Sequence, residues 1–276
     1  MARVLILSSY VAASRVGGGA QALALARLGI EPILIPTVLF GRHPGHGAPG
    51  GEAVAPEVFE AMLGGVGAQG DFGRLDAVIT GHFSSAEQVA IAAEAATRVK
   101  RAAPAARLIV DPIMGDADKG LYVREPVAEA IAAELVPDAD IVAPNAWELA
   151  RLSGLPVRDP ASAIAAARAL GRPTLVSSVE RGSEIGAVYA DKSEAWFAAH
   201  GRADYAPNGA GDLLTALFAA ALIEGQPPSY ALARAGGGIA ETIAAAGMWK
   251  AQELPVVALG SKIRSASPIV RIERLA

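Results

Sequence analysis

The sequence predicts an α/β fold, a mainly parallel central sheet with helices on both faces, and two observations predict it. Short strand-like apolar runs alternate with longer Ala/Leu-rich stretches, a β–α–β rhythm that brings each strand back parallel to the last. The 276 residues are 52% apolar and 19% charged, enough to bury a sizeable core within one large domain spanning residues 1–276.

The elements follow in chain order. Residues 3–8 read as a first strand, and 16–28 as a helix ended by Gly29, a residue suited to closing a helix. Residues 32–36 form a short second strand. Residues 55–63 look helical, 76–80 form a strand, and 85–103 a long helix capped by Ser84 or Ser85. A strand at 107–110 ends in Asp111-Pro112. A helix at 125–135, a strand at 140–143, a helix at 160–170 and a strand at 174–177 come next. Residues 186–189 and 194–199 suggest an antiparallel pair turning at Asp191-Lys192, and helices at 213–223 and 230–246 complete the pattern. The segment 41–51 holds five glycines and two prolines in eleven residues. That composition cannot form a regular element, and it marks a flap beside the exit of strand two.

Composition also excludes. There is no cysteine, which removes thiolate metal sites, thiol catalysis and disulfides and is compatible with a reducing cytoplasm, the expected location. A net charge of −4 without a basic stripe argues against nucleic acid as a partner. No apolar run has the length of a membrane span, and residues 1–7 read as a buried strand rather than a signal peptide.

In a parallel sheet ligands bind at the carboxyl ends of the strands. That rule directs attention to Ser8-Ser9, Thr80-Gly81-His82, Asp111-Pro112, Pro144-Asn145 and Ser177-Ser178. The strongest chemical signal lies further on, where Asn208-Gly209-Ala210-Gly211-Asp212 opens the apolar run 213–218. Glycines let backbone N–H groups converge, and a helix N-terminus adds free donors and partial positive charge. Such a loop can hold charge developing on a transferred phosphoryl group. Asp212, in the first turn, could take a proton from a substrate hydroxyl. The plain alternative, an ordinary first-turn or capping Asp, fits this spacing equally well.

Resemblance separates the two. The stretch G-A-G-D opening a late helix is similar to the signature of the ribokinase superfamily. Four further stretches resemble pyridoxal kinases across nearly the whole chain: Ser9-Tyr10 with Val16-Gly17; Ser85-Ala86-Glu87-Gln88; residues 111–116 (DPIMGD) with Lys119-Gly120; and residues 144–149 (PNAWEL). The resemblance implies a ribokinase-like three-layer fold with a flap over the substrate site. It implies ATP-dependent phosphorylation of the 5′-hydroxymethyl group of pyridoxal, with Mg²⁺, ATP as co-substrate and room for a monovalent cation, in a homodimer.

It also implies roles. Asp212 would be the base, and Gly209, Ala210 and Gly211 the anion hole. ATP would meet Asp111, Asn145, Glu148, Ser177, Ser178, Asn208, Gly209 and Gly211, with Asp111 and Glu148 serving the metal. Ser9, Tyr10, Val16, His46, His82 and Asp212 would meet the substrate. The bland readings are a turn Asp before Pro for Asp111, a solvated helix charge for Glu148, a solvated loop histidine for His46, and packing under the flap for Tyr10 and His82. His43 and His200 have no visible role. The sequence departs from the family where Tyr10 replaces a frequent His, where Pro44-Gly45 stands for a polar flap pair, and where Val16-Gly17-Gly18 stands for V-G-N. These departures concern recognition of the ring. Rival expectations are a hydroxymethylpyrimidine, sugar or nucleoside kinase, and a non-catalytic B6-binding module. An NAD-dependent oxidoreductase built on residues 17–22 is also conceivable. Its glycines begin too far after Ser9, and strand two ends without an acidic residue.

Overall fold

A computed structural model describes residues 1–276 apart from Asp204. Strands β1 (Arg3–Val11), β2 (Glu31–Phe40), β4 (Ala77–Thr80), β5 (Arg107–Val110), β8 (Ile141–Val142) and β9 (Thr174–Arg181) pair in parallel. The main sheet is finished by antiparallel strands, β3 (Gly51–Ala53) at one edge and β10 (Glu184–Ala190), β11 (Ala195–Gly201) and β12 (Arg271–Arg274) at the other. The order is β12-β11-β10-β9-β8-β5-β4-β1-β2-β3. A separate two-stranded ribbon, β6 (Gly115–Asp116) with β7 (Gly120–Leu121), follows the exit of β5.

Side-chain alternation along each central strand feeds two cores. Val4 and Ile6 of β1, with Ala77 and Ile79 of β4, face helices α1 (Gly17–Arg27), α7 (Ala210–Ile223) and α8 (Pro228–Trp249). Leu5 and Leu7, with Val78, face α2 (Pro56–Ala68), α3 (Ala86–Ala102) and α4 (Glu125–Ala130). Beyond them, α5 (Ala146–Ser153) and α6 (Pro160–Leu170) cover β9 and β10. Helix α7 is largely apolar, and residues 213–222 are all buried, so its body sits inside the protein while its two ends reach the surface.

Most expected elements are present, and the differences have local causes. β2 runs through both Pro32 and Pro36 because β3 reaches only residues 38–40, which leaves the earlier part of β2 at a sheet edge where a missing N–H costs little. β1 continues three residues past Ser8, across a register shift between Ser8 and Tyr10. After α4 the chain widens into a π-turn over Ile131–Leu135. The flap holds a single 3₁₀ turn, Pro44–His46, before β3. α5 and β12 were not anticipated.

Candidate active site

The exits of β1, β4, β5 and β9 and the N-terminus of α7 converge on two cavities. One, of about 460 Å³, is lined by Ser9, Val16, Gly17, His82, Asn208, Gly209 and Asp212, and is roofed by the flap residues His43, Pro44 and Gly45 and by Asp116, Lys119 and Tyr122. The other, about 270 Å³, is lined by Ser177, Ser178, Ala210, Gly211, His200 and Arg202, with apolar walls that include Leu214, Ile239 and Ile243. The first turn of α7 separates them. Gly209 and Asp212 face the first cavity, and Ala210 and Gly211 the second.

This turn is held from outside. Gly209 adopts φ +93°, and a Cβ there would lie 2.3 Å from the carbonyl oxygen of Arg15, so only glycine lets the β1–α1 loop pass this close. Gly17 N–H donates to Asp212 Oδ2 at 2.8 Å. Asp212 Oδ1 is enclosed and has no hydrogen-bond partner among the described residues. Burial pushes the Asp212 carboxyl up to about 6, against the opposing pull of the Gly17 amide. One turn further along α7, Thr215 Oγ1 donates to Asp111 Oδ2 at 2.8 Å. Asp111 is buried, and its proton affinity is raised well above the usual carboxylate range by desolvation and by the charges of Asp212 and Glu148.

Glu148 is buried and held by three backbone amides. Its Oε1 accepts from the N–H groups of Met114 (2.7 Å) and Gly115 (3.3 Å), and its Oε2 from Asn145 N–H at 2.9 Å. Asn145 in turn accepts from Glu148 N–H, closing a capping box on α5, and its Nδ2 donates to Gly115 O. Burial pushes Glu148 up to about 7 despite these amides. Asp111, Asn145 and Glu148 therefore line neither cavity. They form a tier beneath the loop that carries the β6–β7 ribbon, and three amides already occupy the Glu148 oxygens.

Other expectations divide. Ser9, Val16 and His82 reach the larger cavity. His82 Nδ1 is enclosed without a partner among the described residues, and desolvation pushes the imidazole down to about 4, so the ring is neutral at neutral pH. Tyr10 does not reach it. Strand alternation turns Tyr10 away from Ser9 and Val11, to a position 42% exposed. His46 also lies outside the lining, its Nε2 3.9 Å from Glu253 Oε1. Asn208, assigned to ATP, lines the larger cavity instead. Ser177 and Ser178 line the smaller one, where a bulge against β10 puts Ser178 at φ +59°. The sequence assigns no contact to His43, Asp116, Lys119 or Tyr122, because only the folding-over of the flap and of loop 115–124 brings their side chains to the cavity.

The donor set suits a divalent cation carried on a triphosphate. Asp111 and Glu148 offer only oxygen, and both are raised chiefly by burial with further repulsion from neighbouring carboxylates, repulsion that a cation would offset. Among the described residues no three His, Asp or Glu side chains are arranged to chelate an ion directly.

A glycine-led helix start between two cavities, with a carboxylate on one side, is the arrangement that a small-molecule kinase of ribokinase-like fold would use. The family model described as phosphomethylpyrimidine kinase matches residues 43–257. The chain is 34% identical over 248 residues to "Pyridoxal kinase PdxY" of Corynebacterium diphtheriae, covering 87% of this chain and 88% of that protein. It is 36% identical over 230 residues to "Pyridoxine/pyridoxal/pyridoxamine kinase" of Bordetella avium, covering 80% and 78%. Among solved structures, pyridoxal kinase from Leishmania donovani in complex with ADP and ginkgotoxin matches with TM-score 0.93, 25% identity and full coverage of both chains. Pyridoxal kinase from Entamoeba histolytica matches with TM-score 0.91 and 25% identity, also over both full chains. The chain belongs to the phosphomethylpyrimidine kinase family, and within it to the pyridoxal kinases.

Proposed function

We propose that this protein, acting as one kinase domain over residues 1–276, transfers the γ-phosphoryl group of ATP to the 5′-hydroxymethyl group of pyridoxal, giving pyridoxal 5′-phosphate and ADP. The observation that carries the reading is the position of the α7 start between two cavities, with Asp212 on one side and Gly211 on the other. ATP occupies the smaller cavity, its adenine among Leu214, Ile239 and Ile243 and its phosphates beside Ser177, Ser178 and Gly211. The vitamer occupies the larger one, whose size lies within the ~300–1,000 Å³ usual for small-ligand sites. There Ser9 and the neutral His82 ring meet its polar edge, and its 5′-hydroxyl approaches Asp212.

Asp212 is mostly ionised at neutral pH, with Oδ2 fixed by Gly17 and Oδ1 lacking a partner. An enclosed acceptor of this kind is costly to leave unpaired, and a substrate hydroxyl satisfies it and gives up its proton there. The first-turn amides of α7 have no acceptors within the helix, and they receive the charge that grows on the phosphoryl oxygens during transfer. Asp111 and Glu148 would hold Mg²⁺ through its waters, and the ion would offset the charge of the triphosphate. The flap and the β6–β7 ribbon exclude water from both reacting groups. A homodimer in the cytoplasm is part of the same proposal.

The test is ADP release from the purified protein with ATP and, in turn, pyridoxal, pyridoxine, pyridoxamine, hydroxymethylpyrimidine, ribose and adenosine. The proposal expects the highest kcat/KM with pyridoxal. A preference for hydroxymethylpyrimidine, or tight pyridoxal binding without turnover, overturns it.

A further inference from the structure

Residues 12–17 join the flap to the catalytic turn. At one end Ala12 N–H donates to Phe40 O and Ala13 N–H to Gly41 O, both at 2.9 Å, and His43 N–H donates to Ser14 Oγ at 3.3 Å. At the other end Arg15 O packs against Gly209, and Gly17 N–H holds the Asp212 carboxylate. The middle is gripped by a residue 238 positions away. Glu253, just beyond α8, accepts from Arg15 N–H through Oε2 at 2.7 Å, and its Oε1 lies 3.9 Å from His46 Nε2 at the flap turn. One carboxylate thus accepts a hydrogen bond from the strut that sets the base and lies within ion-pair reach of a protonated His46 on the flap that covers the substrate.

We propose that Glu253 is a positioning residue that couples flap closure to the setting of Asp212. The coupling rests on the kinase reading above. When the flap is down, His46 and Arg15 share the two oxygens of Glu253, which fixes Arg15-Val16-Gly17 and, through Gly17 N–H, the orientation of Asp212. When the flap lifts, Glu253 loses one of its two anchors and the strut loosens with it, so the base is held firmly only in the covered site.

Two variants and two readouts test this. E253A removes both contacts, whereas in E253Q the amide oxygen still accepts from Arg15 N–H but the charge facing His46 is gone. For E253A the expectation is a kcat lower by about 10-fold or more, the scale of a lost charge-assisted hydrogen bond, with a raised KM for pyridoxal and an ATP KM near wild type. For E253Q, kcat recovers to within about 3-fold of wild type while the pyridoxal KM stays raised. Hydrogen exchange of the unliganded protein reads the same contacts without any substrate. Peptides covering 12–17 and 41–51 exchange faster in E253A, and only 41–51 does so in E253Q. If E253A does not fold, E253Q carries the test by this pattern alone. Wild-type exchange of both peptides in the folded variants, or an E253Q as slow in turnover as E253A, overturns the proposal. A wild-type protein inactive on pyridoxal counts against the kinase reading instead, and the exchange pattern still decides the role of Glu253.

Discussion

Replacing Asp212 by Asn separates the cost of burying this carboxylate from the use proposed for it. The side chains have the same shape, and the Asn carbonyl oxygen can keep the 2.8 Å bond from Gly17 N–H, so the fold has no steric reason to change. Two consequences follow from the electrostatics. Burial raises the carboxyl to about 6 from an ordinary value of 3.8. The native state therefore holds its proton more tightly than the unfolded chain does, and stability falls as pH rises from about 4 through about 6. Roughly two units at 1.36 kcal/mol each set an upper limit on the order of 3 kcal/mol, fully felt above pH 6 and absent below pH 4. Asn carries no such penalty, and its neutrality also relieves the repulsion on Asp111. The D212N variant should thus be more stable than wild type at pH 8, by up to roughly 5 °C in Tm for a chain of this size, and no more stable near pH 4. At the same time it should lose about 10²–10⁴-fold in the rate of pyridoxal phosphorylation. Thermal unfolding at the two pH values and coupled detection of ADP measure both. Wild-type turnover in D212N, or a stability gain as large at pH 4 as at pH 8, would refute the reasoning.

Three further expectations rest on single contacts. A Cβ at Gly211 meets nothing within 4 Å, so G211A should fold and unfold like wild type yet lose turnover because the methyl group enters the phosphate cradle, whereas G209A, which would strike the Arg15 carbonyl from φ +93°, should lose stability as well; Tm and kcat together distinguish them. Because Asp212 must be ionised to accept a proton, kcat/KM should climb with pH up to about 6 and level above it, and a profile falling across that range would exclude Asp212 as the base. Tyr10 points away from the cleft and His82 into it, so Y10A should leave the pyridoxal KM near wild type while H82A raises it, and the reverse ranking in steady-state kinetics would contradict the placement of both.

Much of this site could be read from the chain before folding, and the reason is local. The glycine turn, Asp212 and the strand exits at Ser9 and His82, which meet at one cavity, follow from short-range rules, because glycine spacing and the β–α rhythm fix where a helix starts and which end of the sheet faces the cleft. The Asn145–Glu148 pair shows how one spacing can carry two meanings. Asn followed three residues later by Glu is also the signature of a capping box, which would have located the unanticipated α5. A first strand ending at Ser8 leaves the direction of Tyr10 open, whereas continuation of the strand to Val11 imposes the alternation that turns Tyr10 outward. Lys119, His43 and the Glu253 contact depend on loops meeting across large sequence separations, and no local pattern encodes them. β12 was missed for a related reason: its Arg-Ile-Glu-Arg sequence has few strand-forming residues, and it pairs with β11 only through a return of the chain from beyond α8.

The central claim is that the phosphoryl group crosses at the start of α7. A crystal structure with ADP, Mg²⁺, pyridoxal and a metal fluoride in place of the transferring group examines that point directly. The account predicts the fluoride against the amides of residues 209–211, with the pyridoxal 5′-oxygen within hydrogen-bond distance of Asp212. A fluoride bound away from that turn, or a vitamer whose 5′-oxygen faces another residue, contradicts it.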